Sequence, residues 1–344
     1  MSGAPGAPSD GTQELPWARY AAKPRVQVIG LGGAGSEALI DLIQMGLPAG
    51  IDTLAVNTDG RHLESLPLKE KILLGEGTLR GRGSGGDRQI VRHLGEDSRH
   101  EFLERVRPYD VNFLLAGLGG GTGSALLPLL MDTTRRVGSL AIPVAFLPFR
   151  VELESNPSRR DNTLSTLREL ERQPGLLVLL ANERLRRYEN QPLKRVLTLR
   201  NAYVHMLTLS VVDMVENPSE INLDLGHLHR HVRGAGLSTL LVSEGDVADP
   251  DRLFQQAVRE GLLELDLRRP GPTLLHVEGG CNLTLAGLHR ILAAFRRGLR
   301  DPPEFAFGAR IHREPRNHVR VTAIVGGLGR SEVERSLEAS GSMT

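Results

Sequence analysis

The order of apolar and polar positions divides the chain into short buried strands and longer helices. Continuous apolar runs at Val26–Ile29, Thr53–Val56, Val111–Ala116, Ser139–Leu147 and Gly175–Ala181 read as strands. Segments of helical periodicity, among them Ser36–Met45 and Ser158–Arg172, lie between them. Uninterrupted apolar strands joined by helices predict a parallel sheet covered on both faces, with the loops after the strands gathered at its carboxyl edge. The stretch 192–217 is different. Leu193, Val196, Leu197, Val204, Leu207 and Val211 belong to a run with almost no polar face, which predicts a helix buried on all sides. At ~1.5 Å per residue it would span roughly 37 Å. Arg195, Arg200, His205 and Asp213 interrupt it and argue against a membrane span. Further strands at 237–242, 273–277 and 319–325, with helices at 249–263 and 285–298, predict a second α/β region. The expected order is a disordered tail over 1–24, a parallel-sheet domain over 25–191, a central helix over 192–217, a smaller α/β domain over 218–330 and a short polar tail over 331–344. In the first tail, rich in Gly, Ala, Pro and Ser, Trp17 stands out as a large side chain.

The candidate chemistry sits where the apolar runs break. After Val111–Ala116 the chain reads GLGGGTGS from Gly117 to Ser124 and then resumes as a helix. A strand that breaks into glycines before a helix leaves backbone N–H groups facing one spot, and glycine lets an anion approach them. Gly119, Gly120, Gly121 and Gly123 supply that backbone, and Thr122 and Ser124 add hydroxyls able to bond phosphate oxygens or a Mg²⁺-bound water. Earlier, Gly30, Gly32 and Gly35 satisfy G-x-G-x-x-G at a strand–helix junction, a Rossmann-like feature. That fingerprint suits a nicotinamide or flavin dinucleotide as well as a mononucleotide. Asn57 closes the second strand, where a polar residue commonly reaches a ribose. The loop 75–86, GEGTLRGRGSGG, either closes over a terminal phosphate or forms a disordered hairpin.

The totals narrow the classes. At 344 residues the chain is long enough for two domains. A net charge of +1 gives no global pull toward nucleic acid or an acidic membrane surface. The single cysteine, Cys281, excludes an internal disulfide, fits a reducing cytoplasm and reads as a small core residue. No apolar run approaches the ~18 residues of a span and no signal-peptide pattern opens the chain, so a cytoplasmic protein is expected. His227, His229 and His231 form H-x-H-x-H, read as solvated histidines in preference to a metal site lacking a third ligand.

Taken together, these loops resemble those of the tubulin/FtsZ superfamily, most closely its bacterial cell-division branch, over about Arg25 to Gly329. GLGGGTGS (117–124) is similar to the family's signature phosphate loop. VIGLGGAGSEA, with Gly30, Gly32, Gly33, Ala34, Gly35 and Glu37, resembles the first nucleotide loop, AVNTD (55–59) the second, and GRGSGG (81–86, with Gly85) the third. Pro148-Phe149-Arg150-Val151-Glu152 resembles the fifth loop, whose glutamate bonds the ribose, and Asn182 falls in the sixth. Asn201 matches the central-helix position that reads guanine, and Leu197 stands where many relatives stack a ring on the base. The resemblance implies an N-terminal GTP-binding domain that takes GTP or GDP with Mg²⁺, and a head-to-tail homopolymer or homodimer. In such a filament a loop of pattern N-x-D-x-x-D acts on the neighbour's γ-phosphate. Here that loop reads Asn222-Leu223-Asp224-Leu225-Gly226-His227, with histidine as the second acid. Loss of a water-orienting group costs on the order of 10²–10⁴ in rate, so the expectation is weak inter-subunit hydrolysis, or a GTP-dependent switch or scaffold that barely hydrolyses. Glu37 replaces an amide of relatives. The arginine that follows the fifth-loop glutamate has no in-register equivalent: Asn156 lies there, with Arg159 and Arg160 shortly after. The tail from Arg330 lacks the linker and apolar peptide that hold membrane adaptors, so no direct membrane anchor is expected.

Overall fold

The computed structural model describes residues 23–216, 221, 225–264, 271–316, 318–329, 333 and 337. Its strands are β1 (Val26–Leu31), β2 (Asp52–Asn57), β3 (Lys71–Leu73), β4 (Val111–Gly117), β5 (Leu140–Leu147), β6 (Leu177–Ala181), β7 (Leu237–Asp246), β8 (Thr273–Gly280), β9 (Phe305–His312) and β10 (His318–Val325). The helices are α1 (Gly32–Met45), α2 (Gly60–Ser65), α3 (Glu76–Leu79), α4 (Arg88–Asp97), α5 (Arg99–Val106), α6 (Gly121–Arg136), α7 (Arg150–Ser155), α8 (Pro157–Glu171), α9 (Leu193–Glu216), α10 (Leu225–Ala235), α11 (Pro250–Glu260) and α12 (Leu285–Gly298).

All five N-terminal apolar runs form parallel strands. Residues on their alternating sides enter two cores, as a period of two requires. Ile29, Leu31, Leu114 and Ala116 pack with α4, α5, α6 and α8. Val28, Phe113, Leu115 and Val144 pack with α1 and α9 on the other side. The expectation of two α/β units holds, with one addition. The strands form a single ten-stranded sheet, ordered β3-β2-β1-β4-β5-β6-β7-β10-β8-β9. Its two halves meet where Leu177 and Val178 of β6 pair in parallel with Leu237 and Ser238 of β7. Beyond that seam β10 runs antiparallel to β7 and β8, so the C-terminal half is mixed. The sequence reading passes over β9 because Gly308 and Arg310 break its apolar run and six of its eight residues are partly exposed.

Three expectations need correction. The central helix α9 is not apolar all round where it is buried: Arg200, Asn201, His205, Thr208 and Ser210 are interior, while Leu193 is 64 % exposed. Cys281 is exposed in the turn after β8. The tail 331–344 is not wholly polar surface, because Val333 and Leu337, spaced i, i+4, are buried against the N-terminal core. The proposed disordered tail lies outside the described residues apart from Lys23 and Pro24. Among the described residues no helix is long and apolar enough to cross a membrane.

Candidate functional site: a glycine-lined cleft at the carboxyl edge of the sheet

The cleft is built on two helix starts. β1 leads directly into α1 and its neighbour β4 into α6. Neither helix has a side-chain cap at its N-terminus, and neither carries an acidic residue in its first turn. By contrast α2, α4, α8, α11 and α12 are each capped by an Asp, Asn or Thr side chain. The first-turn N–H groups of α1 and α6 therefore have no intrahelical or side-chain cap, and each helix end carries roughly +0.5 of a charge. The two ends touch, since a Cβ on Gly32 (φ +69°) would lie 3.1 Å from the Gly123 nitrogen.

The glycines divide by what surrounds them. A Cβ on Gly35 would run into the Leu115 carbonyl oxygen, one on Gly30 would meet Gly35 at 2.8 Å, and one on Gly121 would meet the Ser84 hydroxyl. These glycines serve close packing. Gly33, Gly85 and Gly120 instead face open space. Close packing does not require glycine at these three positions. Ala34 packs beside Gly117 at the base of the loop.

Both hydroxyls of the signature loop bond within the protein. Ser124 is fully buried and its Oγ accepts from the Gly119 N–H (2.9 Å), holding the turn closed. Gly119 (φ +92°) therefore does not offer that N–H to a ligand, which corrects the expectation that every amide from Gly119 to Gly123 is free. Thr122 Oγ1 lies 3.0 Å from Thr58 Oγ1, tying the signature loop to the second loop. The loop 75–86 is ordered, not a disordered hairpin. The Gly83 N–H donates to the Thr58 carbonyl, the Gly60 N–H to the Gly81 carbonyl, and Asn162 Nδ2 of α8 donates to the carbonyls of Gly86 and Gly119. Asn162 is a residue the sequence reading missed.

On the α1 side a polar chain runs outward. Asn57 Oδ1 accepts from the Thr58 N–H (2.9 Å), which fixes its amide so that Nδ2 donates to His62 Nδ1 (3.2 Å). His62 then donates from Nε2 to Glu37 Oε1 (3.0 Å). Glu37 is exposed at 64 %, so its second oxygen is open to a ligand.

Deeper, Arg200 organises the two asparagines. Its Nε and Nη2 donate to Asn201 Oδ1 (3.0 and 2.9 Å) and its Nη1 to Asn182 Oδ1 (3.1 Å). The guanidinium stacks 3.8 Å over the Phe146 ring, and burial pushes it down to about 10. Asn201 Nδ2 donates to Asp41 Oδ2 (2.8 Å), which also accepts from Thr198 Oγ1. Asn201 is thus 2 % exposed with both polar atoms engaged, about one turn of α1 below Glu37. Asn201 Nδ2 has a second hydrogen that Asp41 does not use. Leu197, half-buried, lies one turn nearer the start of α9.

At the fifth loop, Glu152 Oε1 accepts from the Phe149 N–H (2.9 Å) and Oε2 pairs with Arg159 Nη1. The Arg159 stem crosses the face of Gly119, its Cγ 2.5 Å from where a Cβ would sit. The stem of an α8 arginine therefore packs on the signature loop while its guanidinium pairs with Glu152, although no arginine occupies the register of relatives. Of the loop between α9 and α10, Asn222 and Asp224 lie outside the described residues, and His227 is exposed in the first turn of α10. His231 is buried, 3.6 Å from Glu304, and its burial pushes the imidazole down. Among the described residues no group of three or more His, Cys, Asp or Glu is disposed to hold a metal ion.

Comparison with known proteins agrees with this architecture. The Tubulin/FtsZ family GTPase domain matches residues 25–190 and the FtsZ family C-terminal domain matches 241–329. The cell division protein FtsZ 2 of Methanocaldococcus jannaschii is 29 % identical over 308 residues, covering 88 % of this chain and 80 % of its own. FtsZ 2 of Haloferax volcanii is 29 % identical over 312 residues, covering 90 % and 77 %. Among solved structures, the empty FtsZ dimer of M. jannaschii superimposes with a TM-score of 0.78 at 27 % identity, covering 93 % of this chain and 92 % of that one. CetZ2 of H. volcanii, a GTPγS-bound protofilament, shares the fold with a TM-score of 0.76 at 21 % identity, covering 91 % and 96 %. With its loops in this order around the cleft and both halves matched, the chain belongs to the tubulin/FtsZ superfamily.

Proposed function

We propose that the chain binds GTP and GDP in this cleft and assembles head to tail, with slow hydrolysis across the subunit contact. One observation carries the reading above the others. The uncapped starts of α1 and α6 meet beneath open space at Gly33 and Gly120, an arrangement suited to a polyphosphate. Mg²⁺ would come with the phosphates, and Thr122 would offer it a hydroxyl. Glu152 retains acceptor capacity for a ribose hydroxyl, because an ionised carboxylate has about four lone-pair sites. Guanine presents N1–H and an amino group as donors and O6 as an acceptor. Glu37 supplies the acceptor for the first pair. Asn182, its oxygen held by Arg200, has its NH₂ left as a donor. Adenine carries an acceptor at N1, which a carboxylate repels. Leu197 covers the base, and Asn201 acts by holding Arg200 and Asp41 in place.

In a head-to-tail contact Asn222, Asp224 and His227 of one subunit would face the phosphates of the next. Such a heterologous contact propagates as an open filament. His227 in place of an acid also supports the second reading, a nucleotide-dependent switch with little turnover.

The first experiment is to identify the nucleotide released when purified protein is denatured, followed by sedimentation and electron microscopy with GTP. Guanine nucleotide and GTP-dependent pelleting are expected. A bound dinucleotide, or no affinity for GTP or GDP, would remove the proposal. Binding without polymer would remove only the filament.

A further inference from the structure

Arg200 is buried on α9 at 4 % exposure. Among the described residues it makes no ion pair, and Asp41 and Glu152 are its nearby opposite charges. A cation buried in this way costs stability unless its hydrogen bonds are made, so the partners it keeps are informative. It stacks on Phe146 of β5 and directs three N–H groups at two carboxamide oxygens. Nε and Nη2 donate to Asn201 Oδ1, and Nη1 donates to Asn182 Oδ1. Held down to about 10, the guanidinium is still charged at neutral pH.

A guanidinium has only donors and no acceptor. The carboxamide atom that meets it is therefore the oxygen at both asparagines, since a flipped amide would set NH₂ against N–H. Arg200 thereby fixes what each amide shows on its other side. Asn182 Nδ2 has no partner among the described residues and remains open to solvent. Asn201 Nδ2 gives one hydrogen to Asp41 and keeps the other. Both oxygens are turned inward, and the groups left over are N–H donors. Asn182 stands directly after β6, at the carboxyl edge of the sheet that also bears the phosphate loops. The adjoining Glu183 accepts from the Arg150 N–H of the fifth loop (2.9 Å), which holds this turn in place.

A fixed donor selects a purine by what stands at its position 6. Guanine and hypoxanthine carry a carbonyl oxygen there, which accepts; adenine carries an amino group, which would oppose donor to donor. We propose that Arg200 is a specificity-determining positioning residue, which turns the Asn182 and Asn201 oxygens inward and so commits Asn182 to donate to a 6-oxo purine. An Asn182 amide without this constraint rotates by a half-turn and accepts from a 6-amino purine as well. The inference rests on the nucleotide reading above and adds to it the residue that sets the choice of base.

The test is equilibrium binding of ITP and ATP, which both lack the 2-amino group and differ only at position 6 and the adjoining N1. The wild type should prefer ITP. Arg200→Gln offers an acceptor as well as a donor, so the amides are no longer fixed, and the ITP-to-ATP ratio should fall by at least roughly tenfold. Arg200→Lys again offers donors alone and should keep most of the ratio. Should Arg200→Gln fold poorly, Asn182→Asp tests the same point with Arg200 intact. One carboxylate oxygen then meets the guanidinium, the other faces the base, and the preference should move toward ATP. The melting temperature of the nucleotide-free protein is measured beside each variant. An intact ITP preference in folded Arg200→Gln or Asn182→Asp would overturn this proposal alone. So would a fall that Arg200→Lys shows equally, or equal losses for both nucleotides with a lowered melting temperature. A wild type that binds neither GTP nor ITP, or takes ATP as readily, would remove the guanine reading and this proposal with it.

Discussion

Removing the Arg159 side chain separates stability from nucleotide binding, and the structure sets the size of each effect. Among the described residues Arg159 makes one ion pair, with Glu152, and the two side chains are 39 % and 32 % exposed. Pairs with that much solvent contribute ~0.2–1 kcal/mol. The start of α8 does not depend on it, because Asn156 Oδ1 caps the helix through the Arg159 backbone N–H (3.1 Å). Arg159→Ala should therefore lower the melting temperature by no more than about 2–4 °C. Binding is another matter. A charge-assisted hydrogen bond to a phosphate is worth ~1.5–3 kcal/mol, or roughly 10- to 150-fold in affinity. The loss should be larger because Glu152, no longer neutralised, leaves an uncompensated negative charge beside the cleft. Titration calorimetry with a non-hydrolysable GTP analogue and with GDP measures the split. The triphosphate should lose more affinity than the diphosphate, since the Arg159 stem covers Gly119 in the signature loop. Asn156→Arg in the Arg159→Ala background should recover part of the binding, at about 0.5–2 kcal/mol of stability for the lost cap. Equal losses for both nucleotides, or a melting temperature that collapses with affinity intact, would refute the assignment.

The remaining predictions concern other links. Gly33→Ala or Gly120→Ala enters open space and should leave the empty protein's melting temperature nearly unchanged while weakening nucleotide binding at least tenfold by titration; Gly35→Ala collides with the Leu115 carbonyl and should impair folding itself, seen as lost soluble yield. His227→Asp should raise phosphate release by a factor on the order of 10² or more if the acid is what turnover lacks, and an unchanged rate would assign the slow step elsewhere. Burial holds His276 at about 4 against an ordinary 6.5, with the nearby Glu278 opposing the shift. The unfolded chain then takes the proton first, so this residue's contribution to stability is complete above pH 6.5 and is lost as pH falls from there toward 4. His276→Gln should flatten that acid limb in denaturant titrations; an unchanged slope would show another group responsible.

Much of the fold was legible because its strands are continuous apolar runs and its helices are periodic, signals that survive without any knowledge of partners. The phosphate loops were legible for a related reason: Gly117–Ser124 holds so many glycines and hydroxyls that few other structures require them. What failed to show was which glycine does what. Gly33 and Gly35 look alike in sequence, yet one faces the cleft and the other abuts a strand carbonyl. Ser124 read as a ligand hydroxyl because its burial and its bond to Gly119 are tertiary facts. Arg200 read as an interruption of an apolar helix; its stacking on Phe146 and its bonds to two asparagines appear only once β5, β6 and α9 are brought together.

Asn201 and Arg159 bear on one point. Correspondence along the chain need not be correspondence in space, because a helix can make the two differ by whole turns. Moving three positions along a helix advances ~4.5 Å and returns close to the same face. Arg159 is three positions beyond Asn156, so a long side chain starting there still reaches the loop that an arginine at 156 would serve. Asn201 shows the converse. It keeps the register of the base-reading position, and Asp41 and Arg200 hold its amide from within, with one Nδ2 hydrogen unused. On the proposed reading the acceptor for guanine is Glu37, one turn along α1 from Asp41 and bonded to His62. A site of this kind is set by which polar atoms are left unsatisfied at the cleft wall, and helical register is only the first constraint on them.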